Sequence, residues 1–194
     1  MRERLLREES GFTLAEAMVT IMIMIAVMFA LYSIFEMSLR VFSFGNDKTE
    51  AVENARLGLE RMEREVRAAY PYDKPNGNNT LLTSWTSNSI TFGNDLNGDR
   101  KIGSATEQIT YGLSGGSPAT LQRNGQPVVE FVQDVDGGGA LTFTYVDANG
   151  APVANEADIR AVRIKLEVAV DRGIQDQPVT QILETDVALR NRGR

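Results

Sequence analysis

The sequence predicts an α+β fold, with one long N-terminal helix packed on a largely antiparallel β-sheet domain. Three observations point to it. Residues 12–35 are almost free of charge. Apolar side chains then recur at helical spacing from Val52 to Ala69. Beyond residue 80 the chain turns to alternating β-type segments punctuated by Gly, Asn, Asp and Pro. The predicted layout is a short charged segment at 1–11, a membrane-competent helix at 12–35, an amphipathic continuation at 36–70 and a β-rich globular domain at 71–194.

Composition narrows the function classes. Lys+Arg 20 against Asp+Glu 26 gives a net charge of -6, which disfavours nucleic acid as a partner. The chain has no Cys and no His, which removes thiolate catalysis, thiolate metal sites and the commonest general base. The expectation is that it is no enzyme.

FTLAEAMVTIMIMIAVMFALYSIF, residues 12–35, carries Glu16 as its only ionisable side chain apart from the Tyr32 phenol. At about 1.5 Å per residue it reaches roughly 36 Å, enough to cross a hydrocarbon core of about 30 Å with some tilt. Arg2, Arg4 and Arg7 precede it and only Arg40 and Lys48 follow closely, so the N-terminus is expected on the cytoplasmic side. The run is too long for the core of a secretory signal, and Ala15-Glu16-Ala17 lies at its start, so a spanning helix is favoured over a cleaved signal. Glu16 sits where an unpaired carboxylate is costly. One reading has it lean back to the headgroups. The other has chain cleavage before Phe12 create an ammonium group about 6 Å along the helix, with a neighbouring subunit's amine neutralising the carboxylate.

Gly11-Phe12-Thr13-Leu14-Ala15-Glu16, after a short charged leader, resembles the processing site of type IV prepilins. The resemblance implies a leader at 1–11, cut after Gly11 by the prepilin peptidase, a membrane aspartyl enzyme. It implies N-methylation of Phe12 and a role for Glu16 in packing subunits into a filament. The leader holds three Arg (2, 4, 7) and three Glu (3, 8, 9), so its removal leaves the net charge unchanged. Further on, ITYGL, ATLQRNG and a closing ALRNR resemble minor pilins of the PilW kind and the J-type minor pseudopilins of type II secretion. Such relatives help to initiate or cap filament assembly. The implied partners are other pilin or pseudopilin subunits, the inner-membrane assembly platform and membrane lipid, and the implied place is the bacterial cytoplasmic membrane, single-pass with an exported C-terminal domain.

Val52, Ala55, Leu59, Met62, Val66 and Ala69 form one apolar helical stripe, with Arg56, Glu60, Glu63, Arg64 and Arg67 on the remaining surface. Core packing against the β-rich remainder is the simpler reading, and coiled-coil contact between subunits the other. Gly45-Asn46-Asp47 is expected to kink or break the helix near a domain boundary, and Pro71 to end it. Strands are predicted at 89–92, 107–113, 120–123, 128–133, 141–146, 159–170 and 179–190, with Asn124-Gly125 and Asn149-Gly150 as tight turns. In the segment 159–170, Val162, Ile164, Leu166, Val168 and Val170 alternate with Arg163, Lys165 and Glu167, giving one buried and one wet face.

Other motifs have plainer readings. Gly112-Leu113-Ser114-Gly115-Gly116 matches the nucleophile elbow of hydrolases, but with no His to activate it Ser114 reads as a turn residue. Asp95, Asn97 and Asp99 place oxygens at alternate positions, as calcium loops do. Arg100 replaces the Gly of an EF-hand, Thr106 falls where its final acid belongs, and Glu107 comes one residue late. Calcium is therefore one reading and an ordinary turn the other. Asp134 and Asp136 read as an acidic loop, and Arg190, Arg192 and Arg194 as a solvated tail. Against the filament subunit stand a membrane-tethered β-domain that binds calcium, sugar or DNA without cleavage, and a secreted enzyme with a weak signal.

Overall fold

The computed structural model describes residues 11–71, 80–99, 101–102, 106–135, 137–170 and 178–191, and its architecture is α+β. Among the described residues one α-helix, α1 (Leu14–Arg67), precedes eight strands: β1 (Leu82–Trp85), β2 (Ile90–Gly93), β3 (Gln108–Leu113), β4 (Ala119–Arg123), β5 (Gln126–Val132), β6 (Leu141–Val146), β7 (Ala161–Val170) and β8 (Val179–Ala188). The chain forms two compact units, Met1–Ser43 and Phe44–Arg194.

In the first unit the helix is long and apolar enough to cross a membrane, and its large apolar side chains are exposed all round, from Met18 to Phe42. Its polar side chains turn back on the backbone. The hydroxyls of Thr20, Ser33 and Ser38 donate to the carbonyls of Ala17, Phe29 and Ile34. Such back-bonding is how a hydroxyl is accommodated where water is absent.

In the second unit the helical stripe is buried in the chain's own core. Ala51, Ala55, Gly58, Leu59, Met62 and Val66 are the buried helical positions, and Val52 is only half-buried. Leu59, Met62 and Val66 join Ile90, Phe92, Tyr111, Leu121, Val129, Ile164 and Leu166 in one cluster. Burial of each large side chain is worth about 1.5–3 kcal/mol. Gly58 is needed at the seam, because a Cβ there would lie 2.2 Å from Val129 Cγ2. Two turns further on, Glu65 ties helix to sheet. Its Oε2 accepts hydrogen bonds from Tyr111 Oη at 2.7 Å and Arg123 Nε at 2.8 Å, while its Oε1 accepts from Arg61 Nε at 3.1 Å. Burial alone would push this carboxyl up, but the hydrogen bonds from Arg123, Tyr111 and Arg61 outweigh it and hold the group below the ordinary range.

Every strand pair is antiparallel, in the order β1-β2-β3-β4-β5-β7-β6, with β8 also on β7. β8 pairs with β7 along all of Ala161–Val170, β6 pairs along Ala161–Leu166, and β5 touches β7 at Val132↔Val168. The sheet curls until the β1–β2 turn meets β6. Phe143 N donates to Ser87 O at 2.7 Å, Tyr145 Oη donates to Thr86 O at 2.9 Å, and Trp85 meets Tyr145 edge-on at 5.2 Å. At the β4–β5 hairpin Asn124 (φ 51) and Gly125 (φ 78) adopt the paired left-handed geometry that suits the twist of such hairpins.

Three expectations need correction. Gly45-Asn46-Asp47 does not break the helix, which continues through it; Thr49 Oγ1 bonds Gly45 O, and an interior Gly costs only about 1 kcal/mol against Ala. The helix stops at Arg67, four residues before Pro71, where the chain bends so that Tyr70 N donates to Gly93 O. Glu167 is not on a wet face: it is 1 % exposed, because the segment after β5 crosses over it and Val135 N donates to its Oε1 at 3.2 Å. β1, too short to announce itself, was not among the predicted strands. Pro75, Gly77, Arg100, Asp136, Arg192, Arg194 and the charged segment 1–10 lie outside the described residues.

Two outcomes follow from the seam. Gly58→Ala should lower unfolding free energy by about 1–3 kcal/mol through overpacking, despite the better helix propensity of Ala. Adding Val129→Ala should cost less than the sum of the two single changes, as measured by denaturant unfolding of the full chain in detergent. Because the folded-state carboxyl of Glu65 lies below its unfolded value, its stabilising contribution is full above about pH 4.3 and is lost as pH falls through the folded-state value. Glu65→Gln should therefore destabilise at pH 7 by about 1–3 kcal/mol and flatten the acid limb of a plot of melting temperature against pH.

Candidate functional site

Two groups of residues singled out in the sequence have a describable geometry, and each belongs to one compact unit. The first is the start of α1. Thr13 caps the helix: its carbonyl accepts from Ala17 N at 3.1 Å and its Oγ1 accepts from Glu16 N at 3.2 Å. The same hydroxyl donates to Glu16 Oε2 at 3.4 Å. A Thr at the cap with a Glu three residues on is the composition of a capping box, in which the acid also favours the positive end of the helix dipole. Glu16 thus has a local structural role, which reading it only as a membrane charge missed. The pattern Thr-x-x-Glu was the available signal.

Gly11 and Phe12 precede the cap, both exposed, with Phe12 at 78 %. Among the described residues, a Cβ placed on Gly11 would meet nothing within 4 Å, and its backbone is not in the left-handed region that favours glycine. Packing against the described residues therefore gives no reason for glycine at position 11.

The second group is the β2–β3 connection. Asp95 Oδ1 accepts from Gly98 N at 2.7 Å, Asn97 Oδ1 from Asp99 N at 2.8 Å and Asp99 Oδ1 from Lys101 N at 2.8 Å. This is a chain of Asx turns, with Gly98 at φ 80. Ile102 folds back onto Gly93, where a Cβ would lie 2.6 Å from its side chain. The carboxylates of Asp95, Asp99 and Glu107 come together, with one oxygen of each within 4.8 Å of the others. Glu107 is buried, Asp95 half-buried and Asp99 exposed. By EF-hand spacing Glu107 falls one residue late; the hairpin brings it in, because Asn94 N bonds Glu107 O at 2.8 Å directly beyond the Gly93↔Gln108 pair.

Ser114 and Asp134 each take part in a local turn. Ser114 spans the β3–β4 turn, with its Oγ accepting from Thr120 N at 2.9 Å and its own N–H donating to Thr120 O. Asp134 Oδ1 accepts from Gly137 N at 2.8 Å. Arg190 is exposed, next to Asn191, whose Nδ2 donates to Ala69 O at 2.9 Å. No protein-family model and no curated protein matches this chain.

Proposed function

We propose that this protein is a non-catalytic minor subunit of a type IV pilus or type II secretion pseudopilus. In this reading it is cleaved after Gly11, N-methylated at Phe12 by the prepilin peptidase, and helps to initiate or cap a filament. The observation that carries the proposal is Gly11: an exposed glycine, with no steric or conformational need to be one among the described residues, directly ahead of an exposed Phe and a membrane-length apolar helix. A peptidase that must accept a small residue before the cut supplies the missing reason. The helix would sit in the cytoplasmic membrane before assembly and in the filament core after it. Cleavage would also convert the Phe12 nitrogen into a cation beside the Thr13 cap, where a neighbouring subunit's Glu16 could use it.

Mass spectrometry of the N-terminal peptide, from cells containing the native peptidase, should find a methylated Phe12 terminus. An intact Met1 leader would overturn the proposal and favour an uncleaved, membrane-tethered binding module. Glu16→Gln is the sharper variant for the assembly role, because the amide still accepts from Thr13 and only the charge is lost. It should be inserted and cleaved normally, yet enter filaments about tenfold less well, the effect of losing some 1.4 kcal/mol of subunit contact. Normal incorporation would remove the charge-pairing role while leaving the cap.

A further inference from the structure

We infer that the β2–β3 connection is a calcium site built from Asp95, Asp99, Glu107 and the side-chain oxygen of Asn94. The inference does not rest on the filament reading.

Asn94 is the observation that goes beyond a cluster of acids. Along the β2–β3 ladder the pairs Ile90↔Tyr111 and Phe92↔Ile109 are buried in the core, and Asn94 lies opposite Glu107 as the next pair of the same row. Side chains two residues apart on a strand share a face, and those directly opposite have Cβ atoms about 5 Å apart. The register therefore aims the Asn94 amide to the side on which Glu107 carries its carboxylate. Both residues are buried, at 7 % and 3 % exposure, and Asn94 Oδ1 has no hydrogen-bond partner among the described residues. An enclosed amide oxygen without a donor has given up its hydrogen bonds to water with nothing in return. A cation bound by Glu107 would satisfy it.

The ligand set favours calcium over magnesium. Ca²⁺ takes six to eight oxygen ligands in flexible geometry, whereas Mg²⁺ demands near-ideal octahedral geometry and gives up its own waters reluctantly. Three carboxylates and an amide oxygen on one irregular loop, with one oxygen of each acid within 4.8 Å of the others, suit the more tolerant ion. The donors are all oxygen, the ligand class of hard cations, and a chain without Cys or His offers no softer alternative. Asn97, which spacing alone would nominate, has its Oδ1 engaged by Asp99 N, and Glu107 takes over as the acid that closes the loop.

Asp95→Asn and Asp99→Asn suit the test, because each keeps the Oδ1 that accepts the turn hydrogen bond and removes only charge. Calorimetry and thermal unfolding of the full chain in detergent, stripped with EDTA, should show saturable binding of one Ca²⁺ with half-saturation near about 10⁻⁴–10⁻³ M. The melting temperature should rise with calcium, and either variant should weaken binding about tenfold or more. Mg²⁺ at the same concentration should give a smaller shift. Absence of saturable binding, equal binding of Mg²⁺, or unchanged calcium affinity in both variants would overturn the site. In the first case the loop's charge would be balanced by its own basic residues. The N-terminal peptide, read from the same preparation, tests the filament proposal separately.

Discussion

The contact on which the rest of the globular unit depends is the close approach of the helix to the sheet at Gly58. Residues 44–67 supply one apolar stripe, and a curled sheet with an apolar inner face has to bury that face against something. A Cβ at position 58 would lie 2.2 Å from Val129 Cγ2, so that either the helix or the Val129 side chain would have to shift. With glycine there, Leu59, Met62 and Val66 reach the residues of β2, β3, β4 and β7 in a single cluster. The cost of an interior glycine, about 1 kcal/mol, is small against the burial it permits.

Apolar packing of this kind tolerates sliding, since one methyl surface is much like another. Glu65 is the feature that resists it. Its two oxygens are met by donors from its own helix, from β3 and from β4, and a carboxylate partly withdrawn from water is stable only while those donors remain in place. A shift of one residue in helix register would leave a half-buried charge without Tyr111 and Arg123. The same logic applies to the Tyr145 hydroxyl, held by Thr86 O where the sheet curls, whose ionisation is suppressed by burial.

Much of this architecture could be read from the residues. The helical stripe and seven of the strands follow from periodicity, because a face that must be buried repeats with the period of its element. Position within the stripe was less legible: Ala51 and Gly58 are small and carry little hydrophobic signal, so the burial that replaces Val52 showed only in three dimensions. Glu167 was misplaced for a related reason, since alternation reports which way a side chain points along a strand but not whether a distant segment crosses over it. The loop carboxylates illustrate the limit most clearly. Asp95 and Asp99 could be picked out by spacing, whereas Glu107 joins them only through pairing of β2 with β3, which a linear template cannot register.

The membrane-length segment carries its own argument. In hydrocarbon a polar side chain must be satisfied within the protein, and the hydroxyls of Thr20, Ser33 and Ser38 already are, by carbonyls of their own helix. These residues have no further demand to make of a neighbour. Glu16 differs, because Thr13 can offer its carboxylate a single proton while the carboxylate can accept several hydrogen bonds. Its capping duty explains why an acid suits the third helical position, and its unspent acceptor capacity is what a cation on an adjacent chain would recognise. The capping role of Glu16 and its proposed role in assembly are therefore not rivals: the cap orients the carboxylate, and in the apolar surroundings that the proposal implies a partner for it would be valuable.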